Sequence, residues 1–214
     1  MLVPRRFAIA LLTFCLITSC TPSPSVRNSP SDCRPIEHAM GETCVPLQPQ
    51  RLLVLGGTTL ESALAMEVQP LASQTDVLPH LEGKLEGIDI LGWPLNLERV
   101  VALQPDLIIG SANGQEQATY DLLSKIAPTV LANTANSGDW KAVVQFVGEV
   151  LGKPDAAEQV LADYEERLDT FAAQMGGNLE EIEVSVVRLY PEKINIYLTD
   201  SFIGTILADA GLGR

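Results

Sequence analysis

The chain has 214 residues, 27 of them acidic and 14 basic, for a net charge of −13 at neutral pH, and 46% of its residues are hydrophobic. That length and apolar share are enough to bury a sizeable core. The acidic balance, with Lys and Arg scattered, excludes a surface that tracks nucleic acid, so an anionic ligand must be met by local donors.

Arg5 and Arg6 precede the apolar run Phe7 to Ile17, the basic start and short core of a secretory signal. That core is too short to span a bilayer stably, so residues 1–19 are expected to be removed. Ile17-Thr18-Ser19-Cys20 resembles a bacterial lipobox, which implies that Cys20 is lipidated and becomes the mature amino terminus. Residues 21–31 carry three prolines and one apolar side chain, the composition of an extended spacer. The expected location is therefore periplasmic or extracytoplasmic, tethered to a membrane through Cys20. With Cys15 lost and Cys20 lipidated, Cys33 and Cys44 are expected to pair within an anchor, spacer and loop region spanning residues 20–50. Such a bond stabilises by about 2–3 kcal/mol in the chain-entropy model. A zinc site is the weaker alternative, because no second pair of thiols or cluster of histidines accompanies them.

Arg51 to Leu55 reads as a first buried strand, and Gly56-Gly57-Thr58-Thr59 turns it into a helix over Leu60 to Met66. Free amides at that helix start can hold an anionic group, with Thr58 adding a hydroxyl; the alternative is a connection that needs glycine only for its backbone. A short strand over Pro70 to Ser73, a polar loop to Gly87 and a strand over Ile88 to Leu91 follow. Asn96 caps a helix whose apolar face is Leu97, Val100, Val101 and Leu103; Pro105 stops it, and Leu107-Ile108-Ile109 is a buried strand closed by Gly110. A helix is expected over Gln115 to Ala127 with Leu122, Leu123 and Ile126 inward, then a strand at Thr129 to Leu131 and a helix from Trp140 to Leu151. Five strand-like runs separated by helices make an α/β lobe over residues 51–152. Residues 153–177 contain an amphipathic helix of about twenty residues, roughly 30 Å long. Residues 178–214 supply two strands, Val184 to Tyr190 and Ile194 to Leu198, and a helix from Phe202 to Ala210, too little for a core of their own.

The segment Asn96-Leu97-Glu98, its helix, Gln104-Pro105-Asp106 and Leu107-Ile108-Ile109 resembles a signature of the solute-binding proteins of ABC importers for ferric siderophores and vitamin B12. His38-Ala39-Met40-Gly41-Glu42-Thr43 and Asp200-Ser201-Phe202-Ile203-Gly204 extend the resemblance from about Cys33 to the end. It implies a complete three-layer α/β lobe, a single long helix bridging to a second α/β lobe, and a ligand cleft between them. It also implies that the chain is truncated within that second lobe. Glu98 corresponds in type and position to the acid that docks on the permease.

For a binding protein the candidate ligand residues are Thr58, Trp93, Tyr120 and Trp140 on the first lobe and Arg188 and Tyr190 on the second. Trp93, between Gly92 and Pro94, is the strongest aromatic candidate. Arg188, on a strand rich in valine, is the strongest charged one, because an unpaired buried Arg is costly unless it meets an anion. Tyr120 packing within its helix and Trp140 seating its own helix are the structural alternatives. Gly92 stands where ferric hydroxamate binders place an Arg. The expected ligand is a ferric siderophore, with cobalamin, haem or a bare metal ion as alternatives, iron being cargo and no cofactor being required. The expected partners are ABC permease subunits and the membrane, with the protein a monomer. Only His38 and His80 are neutral-pH bases, no nucleophile motif accompanies them, and no enzymatic activity is expected.

Overall fold

The structure is a computed structural model and describes residues 33–75, 79–113, 115 and 117–212. The proposed signal, Cys20 and the spacer lie outside the described residues. Five parallel strands form the central sheet: β3 (Leu52–Leu55), β4 (Ala72–Gln74), β5 (Asp89–Ile90), β6 (Leu107–Ser111) and β7 (Thr129–Ala132), in the order β5-β4-β3-β6-β7. The chain winds outward from β3 in one direction and from β6 in the other, so the sheet reverses between these two neighbours. Loops diverge there at the carboxyl ends of the strands and leave a crevice.

The inner strands are buried on both faces, and alternate residues feed two cores. Leu52, Val54, Leu107, Ile109 and Val130 face α1 (Gly57–Ala65) and α4 (Trp140–Leu151), whereas Leu53, Leu55, Ile108 and Leu131 face α2 (Leu97–Leu103) and α3 (Gln117–Leu123). Fully apolar strands follow from helical cover on both sides. The side chain of Asn96 accepts from the Arg99 amide at 3.1 Å, capping α2 as expected. The carboxylate of Asp106 accepts from the amides of Gln50 and Arg51 at 2.7 and 2.9 Å, which ties the entry of β3 to that of β6.

Three packing expectations are corrected. Gly110 lies inside β6 instead of closing it; a Cβ there would sit 2.9 Å from Leu131 Cδ2 and 3.1 Å from Leu55 Cβ, so glycine is required by the close approach of neighbouring side chains. Val101 and Leu122 point outward, 56% and 46% exposed, because Val100 and Leu123 already fill the single inward row of their short helices. Helix α3 is also shorter than the expected span from Gln115 to Ala127.

Residues from Cys33 form a hairpin, not merely a loop: β1 (Cys33–His38) pairs antiparallel with β2 (Gly41–Pro46), and Cys33 and Cys44 are disulfide-bonded with Cα atoms 5.5 Å apart. Ile36 and Val45 are fully buried in the core. His38 fastens the hairpin to the sheet edge. Its Nδ1 accepts from the amides of Met40 and Leu131 at 3.2 and 3.4 Å, its Nε2 is 2.9 Å from Thr43 Oγ1, and that hydroxyl donates to the Thr129 carbonyl. Burial lowers the pKa of His38 below 6.5, and a proton on Nδ1 would oppose two donors. The unfolded chain therefore takes up that proton more readily than the folded one, and stability is full above pH 6.5 and declines as pH falls below it. Urea denaturation across pH 5 to 8 should show this decline, and His38→Asn, which keeps an acceptor near the Nδ1 position, should flatten it. An unchanged slope in the variant would remove His38 as its source.

Helix α5 (Pro154–Met175) is a single helix of 22 residues that starts with proline in its first turn and ends at Gly176. Only its amino-terminal half is well covered: Ala157 is buried against α4, while Met175 is 38% exposed. Beyond it, β8 (Val187–Leu189) and β9 (Ile194–Ile196) form a hairpin, and α6 (Phe202–Asp209) packs back towards the first lobe. Both strands are shorter than expected. Asp209 accepts from Tyr164 Oη at 2.8 Å and pairs with Lys141 Nζ at 2.9 Å, and Lys141 also bonds Glu165 at 3.0 Å. Burial alone would lower the Lys141 pKa, but the bonds to Asp209 and Glu165 outweigh it and the net shift is upward. The phenol of Tyr164 is likewise pushed up, first by burial and then by Asp209.

Candidate functional site

The carboxyl edge of the sheet carries a cleft of about 240 Å³ at the reversal between β3 and β6. Gly56, Gly57, Thr58 and Thr59 form one wall from the β3-to-α1 turn, Ser111 and Asn113 rise from β6, and Asn136 and Ser137 follow β7. Trp93 and Trp140 complete it. An adjoining cavity of about 270 Å³ shares Trp93 and Gln115 and continues over Gln74, Pro94, Leu95, Leu97 and Thr119. Among the described residues, none lining either cavity is ionisable.

Local chemistry explains each wall. Gly56 adopts φ 93° and ψ 161° where the chain leaves β3, a conformation that disfavours any side chain. Gln74 ends β4 almost completely buried, and its Oε1 accepts from Gln115 Nε2 at 3.1 Å, fixing the floor of the second cavity. Ser111 and Thr134 share a 2.5 Å hydrogen bond across the ends of β6 and β7. Asn136 caps the 3₁₀ turn Ser137–Asp139 through the Gly138 amide at 2.8 Å. Trp93 follows β5 in a cis Trp93–Pro94 peptide and is 55% exposed. Trp140 begins α4, is 9% exposed, and meets Tyr164 and Phe202 edge-on with centroids 4.8 and 6.0 Å apart.

Of the residues that stand out in the sequence, Thr58, Trp93 and Trp140 come together in the cleft. Tyr120 lies outside both cavities, half-buried, with its ring 5.8 Å from that of His38. Arg188 and Tyr190 sit at the far hairpin and line neither cavity. The premise that Arg188 is buried does not hold: it is exposed opposite Asn195, with its guanidinium 5.1 Å from the Tyr190 ring. Glu98 is exposed on the first turn of α2 and lines neither cavity, although its neighbour Leu97 lines the second. Sequence reasoning misses Asn113, Gln115, Asn136 and Ser137, whose one signal is a polar residue just past a strand's carboxyl end. Among the described residues no group of three His, Cys, Asp or Glu side chains converges to hold a metal ion, and no helix is long and apolar enough to cross a membrane.

Similarities to known proteins run along the whole described lobe. A Bacillus subtilis protein named "Probable siderophore-binding lipoprotein YfiY" is 32% identical over 217 residues, covering 96% of this chain and 66% of that protein. The achromobactin-binding periplasmic protein of Dickeya dadantii is 29% identical, covering 77% of this chain and 56% of that protein. The chain thus spans between about half and two thirds of the length of these relatives. Staphylococcus aureus SirA, solved in complex with staphyloferrin B, superposes with a TM-score of 0.75 at 30% identity, covering 85% of this chain and 64% of SirA. The sequence model of the periplasmic binding protein family matches residues 91–213, from the entry to Trp93 through α6, and the chain belongs to that family of solute-binding proteins.

Proposed function

We propose that the protein is the extracytoplasmic solute-binding component of an ABC importer that captures a ferric siderophore and delivers it to the membrane permease. The observation that carries this reading is the coincidence of two facts. The chain is 32% identical over nearly its whole length to a protein named as a probable siderophore-binding lipoprotein. Its carboxyl-edge cleft, with the indoles of Trp93 and Trp140 and a ring of neutral hydrogen-bonding groups, also suits a bulky chelate better than a bare ion. Lipidation at Cys20 and the spacer behind it hold the monomeric lobe near the permease. The bound iron is cargo, and no step of catalysis is assigned to any residue.

Delivery needs a contact with the permease apart from the ligand cleft, and Glu98 is suited to it, being exposed and lining neither cavity. The segment from residue 178 onward opens the second lobe; Arg188 and Tyr190, which line neither cavity, would meet the ligand only from that lobe. In cells, Glu98→Lys should slow uptake of ⁵⁵Fe-loaded siderophore at least about tenfold, the scale of one lost charge-assisted contact. Ligand affinity of the purified variant should be unchanged. A loss of affinity with normal delivery would return Glu98 to a structural role.

A further inference from the structure

Helix α6 is fastened to the first lobe at both ends, at its amino end directly to a cleft residue, Ser137, and at its carboxyl end next to another, Trp140. The Phe202 amide donates to Ser137 Oγ at 3.1 Å. Gly138 permits this approach, since a Cβ there would sit 2.6 Å from the Asp200 carbonyl oxygen and 2.9 Å from Thr205 Cγ2. At the other end Asp209 accepts from Tyr164 Oη on α5 at 2.8 Å and pairs with Lys141 Nζ on α4 at 2.9 Å. Between the two fastenings, Ile206 packs on the core cluster that contains Val143, Val144 and Trp140.

Trp140 is the cleft residue that these contacts enclose. Its indole meets the Tyr164 ring from α5 and the Phe202 ring from α6, both edge-on, with centroids 4.8 and 6.0 Å away. Lys141 Nζ lies 5.7 Å from the Trp140 ring centroid and 5.0 Å from that of Tyr164 while it is paired with Asp209. A single surface ion pair contributes little. Here one carboxylate serves a phenol and an ammonium at once, and the rings of Tyr164 and Phe202 pack on the same indole, so the contacts support one another as a network. Ser137 and Trp140 line the cleft, whereas Lys141, Tyr164, Phe202 and Asp209 line neither cavity.

We infer that α6 is a buttress for the ligand cleft: Asp209, Lys141 and Tyr164 are positioning residues that hold Trp140 and, through α6, Ser137 in place. The cleft thus takes part of its shape from a segment outside the first lobe. This rests on the reading of the cleft as the chelate site and extends it. Gly204 of α6 lies against the Leu198 carbonyl just past β9, with no room for a side chain, so the same helix ties the hairpin to the cleft wall. The indole is then set before a ligand arrives, and binding carries no cost for ordering it. Among the described residues no buried hydrophobic side chain lies beyond Ala157, so loss of the buttress loosens the wall and leaves the first lobe folded.

The first arm of the test needs no ligand. In a Trp93→Phe background Trp140 is the one tryptophan of the chain, so its emission reports on the wall alone. Asp209→Ala in that background should shift the emission to longer wavelength and raise its quenching by acrylamide several-fold. Asp209→Asn, which keeps an acceptor for the phenol, should restore most of the protection. Tyr164→Phe removes only the hydroxyl, should act in the same direction as Asp209→Ala but less, and serves if that variant fails to fold. A lowered urea midpoint with emission and quenching unchanged would reduce these residues to a role in stability and overturn the buttress. The second arm titrates the ferric complexes of citrate, a trihydroxamate and a tricatecholate into parent and Asp209→Ala proteins that keep both tryptophans. A complex that binds the parent should bind the variant about tenfold more weakly, the scale of one lost well-placed contact; equal affinity would overturn the role in binding. If none of the three binds the parent, the chelate reading falls, and the acrylamide arm still decides the buttress.

Discussion

Replacing Gly148 with valine should lower the unfolding free energy by about 3 kcal/mol, with the loss read as a lower urea midpoint at unchanged slope. Helices α4 and α5 cross where Gly148 faces Ala157: a Cβ at Gly148 would lie 2.5 Å from the Ala157 Cβ and 3.1 Å from the Lys153 carbonyl oxygen. Neither atom belongs to a flexible side chain that can swing aside. The two helices are joined by a tight turn in which Gly152 takes φ 69° and Lys153 donates its amide to the Gly148 carbonyl at 2.7 Å, so the crossing cannot open without breaking that turn. Gly148→Ala supplies a check on sign. Intrinsic helix propensity favours alanine over glycine by about 1 kcal/mol, whereas the contact with Ala157 opposes it. Destabilisation by alanine identifies packing as the reason for the glycine, and a gain in stability would show that the helices separate freely.

Trp93→Ala should leave stability within about 0.5 kcal/mol of the parent, as for other exposed positions, yet weaken chelate binding by about 2 kcal/mol, roughly thirtyfold. The indole is more than half exposed in the protein, so removing it forfeits little buried surface. It nevertheless forms part of both cavities, and an aromatic face at the junction of two cavities is where a bulky chelate covers the most apolar area. Calorimetric titration of variant and parent, with thermal denaturation of each, separates the two effects. Equal affinities would place the ligand away from Trp93, and a large loss of stability would give the residue a packing role instead.

Much of the fold is legible in the sequence because the strands are short apolar runs bounded by strong stops. Leu52 to Leu55, Leu107 to Ile109 and Thr129 to Leu131 read as strands from residue types alone, and the bounds of α4 emerge at the expected residues, Trp140 and Leu151. What is not legible depends on neighbours distant in the chain. Gly110 looks like a terminator until Leu55 and Leu131 are seen to press on it. Val101 and Leu122 fit a helical apolar stripe, yet only one residue per turn of α2 and α3 can reach the sheet. The hairpin from Cys33 is hidden because its partner surface is the β7 edge, which Thr43 and His38 reach through bonds to residues 86 and 93 positions further along the chain.

The site is legible in part for the same reason. Aromatic residues in loops stand out, so Thr58, Trp93 and Trp140 are found through a glycine turn and two indoles. Asn113, Gln115, Asn136 and Ser137 have no distinguishing spacing, and only the strand order that brings the ends of β6 and β7 beside β3 collects them. Arg188 stands out only on an assumption of burial, which a two-stranded hairpin with Arg188 opposite Asn195 does not provide.

The proposed function requires that a ferric chelate be captured in the cleft that holds Trp93 and Trp140. Titration of the mature protein with ferric siderophores, cobalamin, haem and free Zn²⁺, followed by quenching of tryptophan fluorescence, tests it most directly. Saturable quenching by at least one ferric siderophore, diminished in Trp93→Phe and absent with Zn²⁺, is the predicted result; saturable quenching by Zn²⁺ alone would contradict the account.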